Sequence, residues 1–185
     1  MSDWFYFTAR KAIRLAYRVT NHKINIEGEI PKKPTVLTVN HYHRIKLLFS
    51  GQEKWADHLL LGFLPVGKIH FAVQNKQYMK PTTRFCLERL ETFSTKPIDV
   101  RKGIDYVRKG EIVAIFPQGE AHRMYENRYY KGAAFIAKKG NVDITPINVG
   151  SYSKKNLYLR ILPPINTKDK SLEQITQEIK IIYSG

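Results

Sequence analysis

Apolar and polar positions alternate along the chain in runs whose periods predict helices and strands in turn. Residues 3–19, DWFYFTARKAIRLAYRV, repeat at helical spacing. Phe5, Ala9, Ala12, Ile13, Ala16 and Val19 share one face, while Arg10, Arg14 and Arg18 recur four apart on another. KINIEGEIP alternates like a short strand and stops at the turn from Pro31 to Pro34. TVLTV is a near-continuous apolar run, the pattern of a strand buried on both faces.

The same reading predicts a helix over 55–64, a strand in KIHFAVQ, a helix in TTRFCLERLE and a short strand or loop in TFSTKP. DVRKGIDYVRKG is expected to be a helix capped by Gly110, and EIVAIFPQG a buried strand stopped by Pro117. KGAAFIAKKG reads as a helix capped by Gly140, DITPINVG and LYLRILPPI as strands. SLEQITQEIKIIY is a terminal helix opened by Ser171. Strands alternating with helices imply an α/β fold. The expectation is one layered domain over 1–185, with a largely parallel or mixed sheet flanked by helices and an amphipathic helix over 1–20.

Composition agrees with a packed core: of 185 residues, 43% are hydrophobic and 12% aromatic. Cys86 is the only cysteine, which excludes an internal disulfide, and its helical surroundings predict a small buried side chain. The formal charge of +15 changes the picture more. Every quarter of the chain carries more Lys and Arg than Asp and Glu, so the excess is a field and not a tail. Such a field favours a polyanionic partner: nucleic acid, an anionic lipid surface or a phosphorylated substrate. The first helix fits either a core-packed helix with a solvated basic face or an interfacial helix, its Trp4–Phe7 aromatics at headgroup level. No stretch reaches the eighteen or so apolar residues of a membrane span. Arg10, Lys11, Arg14 and Arg18 interrupt any signal-peptide core.

Candidate chemistry sits where buried strands emerge, as VNH and FPQG, because open α/β sheets bind ligands at strand C-terminal ends. The sequence holds no P-loop, dinucleotide fingerprint, serine nucleophile elbow or cysteine-histidine zinc spacing. It holds no recognition-helix or RNP-type pattern either, so nucleic acid is not expected as a partner.

Taken in order, VNH, WADHLLLG, FPQG and YYKGAAFIAKKGNVDITPINVGSY resemble the motifs of the 1-acylglycerol-3-phosphate acyltransferase family of glycerophospholipid acyltransferases. The resemblance runs over nearly the whole chain and is most specific from Ile112 to Gly150. There are departures. The family's His-x4-Asp spacing would put the acid at Lys46, and Asp57 takes its place only if about eleven residues within 42–54 are an insertion. Gln118 stands for the family Glu and Glu120 for its Thr; Lys96, with Arg101 after it, is the nearest match to the second motif's Arg.

The resemblance implies transfer of an acyl group from acyl-CoA or acyl carrier protein to the hydroxyl of a lysophospholipid, 1-acylglycerol-3-phosphate first among them. His41 would be the general base and Asp57 its orienting acid, without a metal or other cofactor. Gln118 and Gly119 would border the glycerol phosphate, with Lys96 and Arg123 as cations for its charge. The expected partners are an anionic membrane surface, the lysophospholipid and the acyl thioester, with acyl carrier protein as one donor. The protein would lie peripherally on the cytoplasmic side of a membrane. Two alternatives stay open: a relative that binds phospholipid without transferring acyl groups, and a basic nucleic-acid-binding domain. His41 as a helix cap and Asp57 as an ordinary first-turn acid are the bland readings of the same residues.

Overall fold

The structure, a computed structural model, describes residues 3–41, 44–46, 53–55, 57–119 and 128–184; within these the side chains of 44–46, 53–55, 57 and 82 are not described. The sequence pattern resolves into α1 (Trp4–Val19), β1 (Lys23–Glu27), β2 (Val36–Val39), β3 (Arg44–Lys46), β4 (Glu53–Trp55) and α2 (Asp57–Leu60). Then come β5 (Ile69–Val73), α3 (Asn75–Tyr78), α4 (Pro81–Arg89), β6 (Phe93–Ser94), α5 (Pro97–Arg108) and β7 (Ile112–Ile115). The chain continues through α6 (Gly132–Gly140), β8 (Ile144–Ser153), β9 (Asn156–Ile161) and α7 (Leu172–Ser184).

Among the described residues, seven strands form one mixed sheet in the order β1-β9-β8-β2-β7-β5-β6. β8, β2, β7, β5 and β6 run parallel; β9 is antiparallel to β8 and parallel to β1. The α/β expectation holds, including the mixed sheet and the N-terminal helix. β2 is buried on both faces, as its unbroken apolar run requires. Leu37 and Val39 pack with Tyr17, Leu60, Leu61 and Leu64 on one side. Val36 packs with Phe93, Ala133, Ile175 and Ile179 on the other. One face is therefore covered by α1 and α2, the other by α5, α6 and α7.

Several local expectations are corrected. The helix anticipated over 55–64 is the end of β4, a single turn of α2, and a 3-10 turn at Leu61–Phe63. Gly140 does not cap α6 but ends it; Asn141 takes the left-handed position at φ 56. A Cβ on Gly140 would stand 2.3 Å from Val107 Cγ2, so this glycine allows α5 and α6 to approach. Cys86 is exposed, because α4 lies at the surface and none of its described side chains is buried.

The amphipathic helix is turned differently from its simplest reading. Tyr6 and Tyr17 are buried with Ile13 packed on the core, so the inner face runs through positions 6, 10, 13 and 17. Arg10 lies on that face: its Nε donates to Gly62 O and its NH1 to Val66 O, both at 2.7 Å. Arg14 donates to Gly62 O at 3.1 Å and Phe63 O at 3.2 Å. Carbonyls of the 3-10 turn and of the loop after it draw the two guanidinium groups. Trp4, Leu15 and Val19 face outward instead, 60–74% exposed. Ser171 opens α7 as expected: its Oγ accepts from Gln174 N at 3.1 Å while Gln174 Oε1 accepts from Ser171 N at 2.7 Å.

Candidate active site

The first part of the site follows from register. β2 and β7 are parallel neighbours with Thr38 opposite Ile115, and three further residues along each strand bring His41 opposite Gln118. The His41 amide donates to Gln118 Oε1 at 3.4 Å, and Gln118 Nε2 donates to Tyr129 Oη at 3.3 Å. Gln118 is buried, with both ends of its amide engaged inside the fold. The His41 ring stacks on Phe116, centroids 4.4 Å apart and planes 8° from parallel. His41 Nε2 is 3.2 Å from the Gly119 carbonyl, which can only accept, so in this contact Nε2 carries the hydrogen. In the neutral ring the lone pair is then on Nδ1.

The turn at Gly119 needs glycine. Its φ is +76°, and a Cβ there would stand 2.7 Å from the Tyr130 ring. The Gly119 amide donates back to Phe116 O at 3.0 Å and Tyr130 N to Pro117 O at 2.8 Å, closing the turn beneath the imidazole. On the other edge of β2, Asn40 clamps the backbone of β8. Its Nδ2 donates to Val149 O at 3.0 Å and its Oδ1 accepts from Val149 N at 2.6 Å. The Asn-His pair thus divides its work: Asn40 fixes the strand, and His41 is delivered at its end.

His41, Phe116 and Gly119 form part of the wall of a cavity of about 1160 Å³. Its remaining wall is largely apolar and includes Leu59, Phe71, Leu87, Val100, Ile115 and Ile136. That exceeds the ~300–1,000 Å³ common for small-molecule sites. Among the described residues, the Lys and Arg side chains reaching this wall are Arg10, Lys76 and Lys131. Lys131 lies beside Glu173, with which it pairs. Periodicity set Arg10 on the polar face of α1 and gave no sign of Lys76 and Lys131, because lysines near helix ends are common without function.

The other anticipated residues are placed as follows. Lys96 is exposed at the N-cap of α5, on the same end of the sheet but beyond β7 and β5 from His41. It is not among the cavity-lining residues described. Asp57 opens α2, but its side chain lies outside the described residues, as does Arg123 entirely. The segment between His41 and Asp57 contains an antiparallel ribbon, β3 with β4, in which Arg44 pairs with Trp55 and Lys46 with Glu53. The chain therefore leaves at Arg44 and returns at Trp55, paired residues that lie about 5 Å apart in such a ladder. Among the described residues, no group of three or more His, Cys, Asp or Glu is arranged to hold a metal. No helix there is long and apolar enough to cross a membrane.

No family model matches the sequence. The fold nonetheless has a solved counterpart. The crystal structure of the 1-acyl-sn-glycerophosphate (LPA) acyltransferase PlsC from Thermotoga maritima matches 96% of this chain and 79% of its own, with a TM-score of 0.61. Sequence identity is 17%, so what the two chains share is the fold, and chemistry must be argued from the site.

Proposed function

We propose that this protein is an acyltransferase that moves a fatty acyl group from a thioester, acyl-CoA or acyl carrier protein, to the hydroxyl of a lysophospholipid. The acceptor favoured is 1-acylglycerol-3-phosphate and the product phosphatidate. One observation carries the reading: an imidazole held at the end of a buried strand, on the wall of a large apolar cavity, in this fold.

The acceptor hydroxyl oxygen attacks the thioester carbonyl carbon while His41 takes its proton, a transfer typically contributing about 10²–10⁴-fold. Collapse of the tetrahedral intermediate expels the thiolate, which regains that proton from the imidazolium and leaves as thiol. The new ester stays on the glycerol. A carboxylate at Asp57, returned toward His41 by the β3-β4 ribbon, would stabilise the imidazolium. Gly119 would border the acceptor with Gln118 buried beneath it, and Lys76 and Lys131, on the cavity wall, would meet its phosphate. The apolar cavity suits an alkyl chain. The outward Trp4, Leu15 and Val19, flanked by Lys11 and Arg18, suit an anionic membrane surface on which the protein would sit peripherally, facing the cytoplasm.

Lys46 at the family's acid position keeps a second reading alive, a relative that binds lysophospholipid without turnover. Thiol release from acyl-CoA, measured against a panel of lysophospholipids, separates the two. Acceptor-dependent release supports transfer; binding of the panel without release supports the second reading. Asp57→Asn tests the ribbon's part: a lowered kcat is expected, and an unchanged rate assigns the imidazolium's stabilisation to another group.

A further inference from the structure

We propose that Tyr183, in the last turn of α7, is a positioning residue for His41, acting through the β2-β8 ladder at Thr38 and Ile147. The inference rests on the reading of His41 as the base. β2 and β8 are parallel, with Thr38 opposite Pro146 and Val39 opposite Ile147. The Tyr183 hydroxyl lies on this ladder, three residues before His41. Its hydrogen goes to the Thr38 carbonyl at 2.6 Å, the nearer of two, since Ile147 O is 3.3 Å away. It accepts from the Ile147 amide at 3.2 Å and pairs with Thr38 Oγ1 at 3.1 Å. One donated and two accepted bonds fill a phenol's capacity. Burial raises the Tyr183 pKa, so the hydroxyl keeps the hydrogen it donates.

A hydroxyl tied to both strands sets their separation there. Two residues on, Asn40 does the same at Val149, and one residue later Gln118 receives the His41 amide from the opposite side. The end of β2 is thus fixed by three side chains from three elements. Asn40 and Gln118 belong to the strand ends that mark the site; Tyr183 arrives from the far end of the chain. His41 can keep its stacking on Phe116 and its contact with Gly119 O only if its backbone stays in register. Displacements near 1 Å in such sites can cost about 10²-fold in rate.

Tyr183→Phe keeps the ring and removes only the hydroxyl. In acyl transfer from acyl-CoA to 1-acylglycerol-3-phosphate, kcat should fall about tenfold with KM for both substrates unchanged. The 15N spectrum of the His41 imidazole should show a changed tautomer ratio. Ile179→Val, which trims packing on the same helix, should lower the thermal midpoint and leave kcat and the His41 signals alone. An unaltered kcat with unaltered His41 signals in Tyr183→Phe would overturn the proposal. If that variant does not fold, Thr38→Val removes one of the three bonds and is judged by the same readouts. If the wild type transfers no acyl group, the functional reading fails, while the His41 spectrum still decides the positioning role.

Discussion

Gly119 and His70 show what single residues contribute beyond packing. At φ +76° any side chain at 119 enters the left-handed region, which costs about 1–3 kcal/mol, and it would also press on Tyr130. Gly119→Ala should lower the stability read from urea unfolding by that amount and reduce acyl transfer, because the same turn carries the carbonyl facing His41. His70 is a buried imidazole away from the candidate site, stacked on Tyr106 at 3.6 Å. Its Nδ1 donates to Glu91 O at 3.0 Å. Its Nε2 lies 3.0 Å from Glu111 Oε2 but makes no well-directed hydrogen bond. Burial holds its pKa below the ordinary imidazole value, outweighing the pull of Glu111 and Glu91; Lys68 adds to the depression. The unfolded chain then binds the proton more readily. Stability is full above about pH 6.5 and declines below it as pH falls toward the folded pKa. Urea midpoints measured at about pH 7.5 and 5.5 should differ less in His70→Gln than in the wild type. An equal difference would contradict this account.

At the scale of elements, α1 is joined to the domain by arginines rather than by apolar burial alone. Hydrogen bonds from charged donors contribute about 1.5–3 kcal/mol, so Arg10→Ala should speed amide exchange throughout α1 by tenfold or more while leaving the β2 and β7 amides protected. Trp4→Ala and Leu15→Ser, on the outer face, should leave stability within about 0.5 kcal/mol and weaken binding to anionic vesicles. The existence of α1 was legible in its periodicity; which face turned inward was not. Arginines at i, i+4 look solvated until the carbonyls of Gly62, Phe63 and Val66 are brought beside them by the fold. β2, β7 and the Asn-His and Gln-Gly ends were legible because buried strands carry unbroken apolar runs and end in polar residues. The clamp by Tyr183 was not, since a tyrosine in an amphipathic helix carries no sign of the ladder it will reach. The β3-β4 ribbon stayed hidden for a different reason: each strand has three residues, too few for a period to show.

For the whole molecule, the charge of +15 and the outward apolar stripe of α1 would both serve the proposed anionic membrane surface. Vesicle binding should rise with the anionic lipid fraction and fall as salt shortens the Debye length, about 10 Å at 0.1 M. Comparable binding to duplex oligonucleotide that does not depend on Trp4 would contradict a lipid surface as the preferred partner. The central claim is narrower: His41 removes the acceptor proton during acyl transfer. It is tested most directly by incubating wild type and His41→Ala with acyl-CoA, 1-acylglycerol-3-phosphate and anionic vesicles, and measuring phosphatidate by mass spectrometry. The account predicts phosphatidate with the wild type and a loss of at least about 10²-fold in the variant, with its thermal midpoint retained. Phosphatidate formed at the wild-type rate by a folded His41→Ala protein would contradict it.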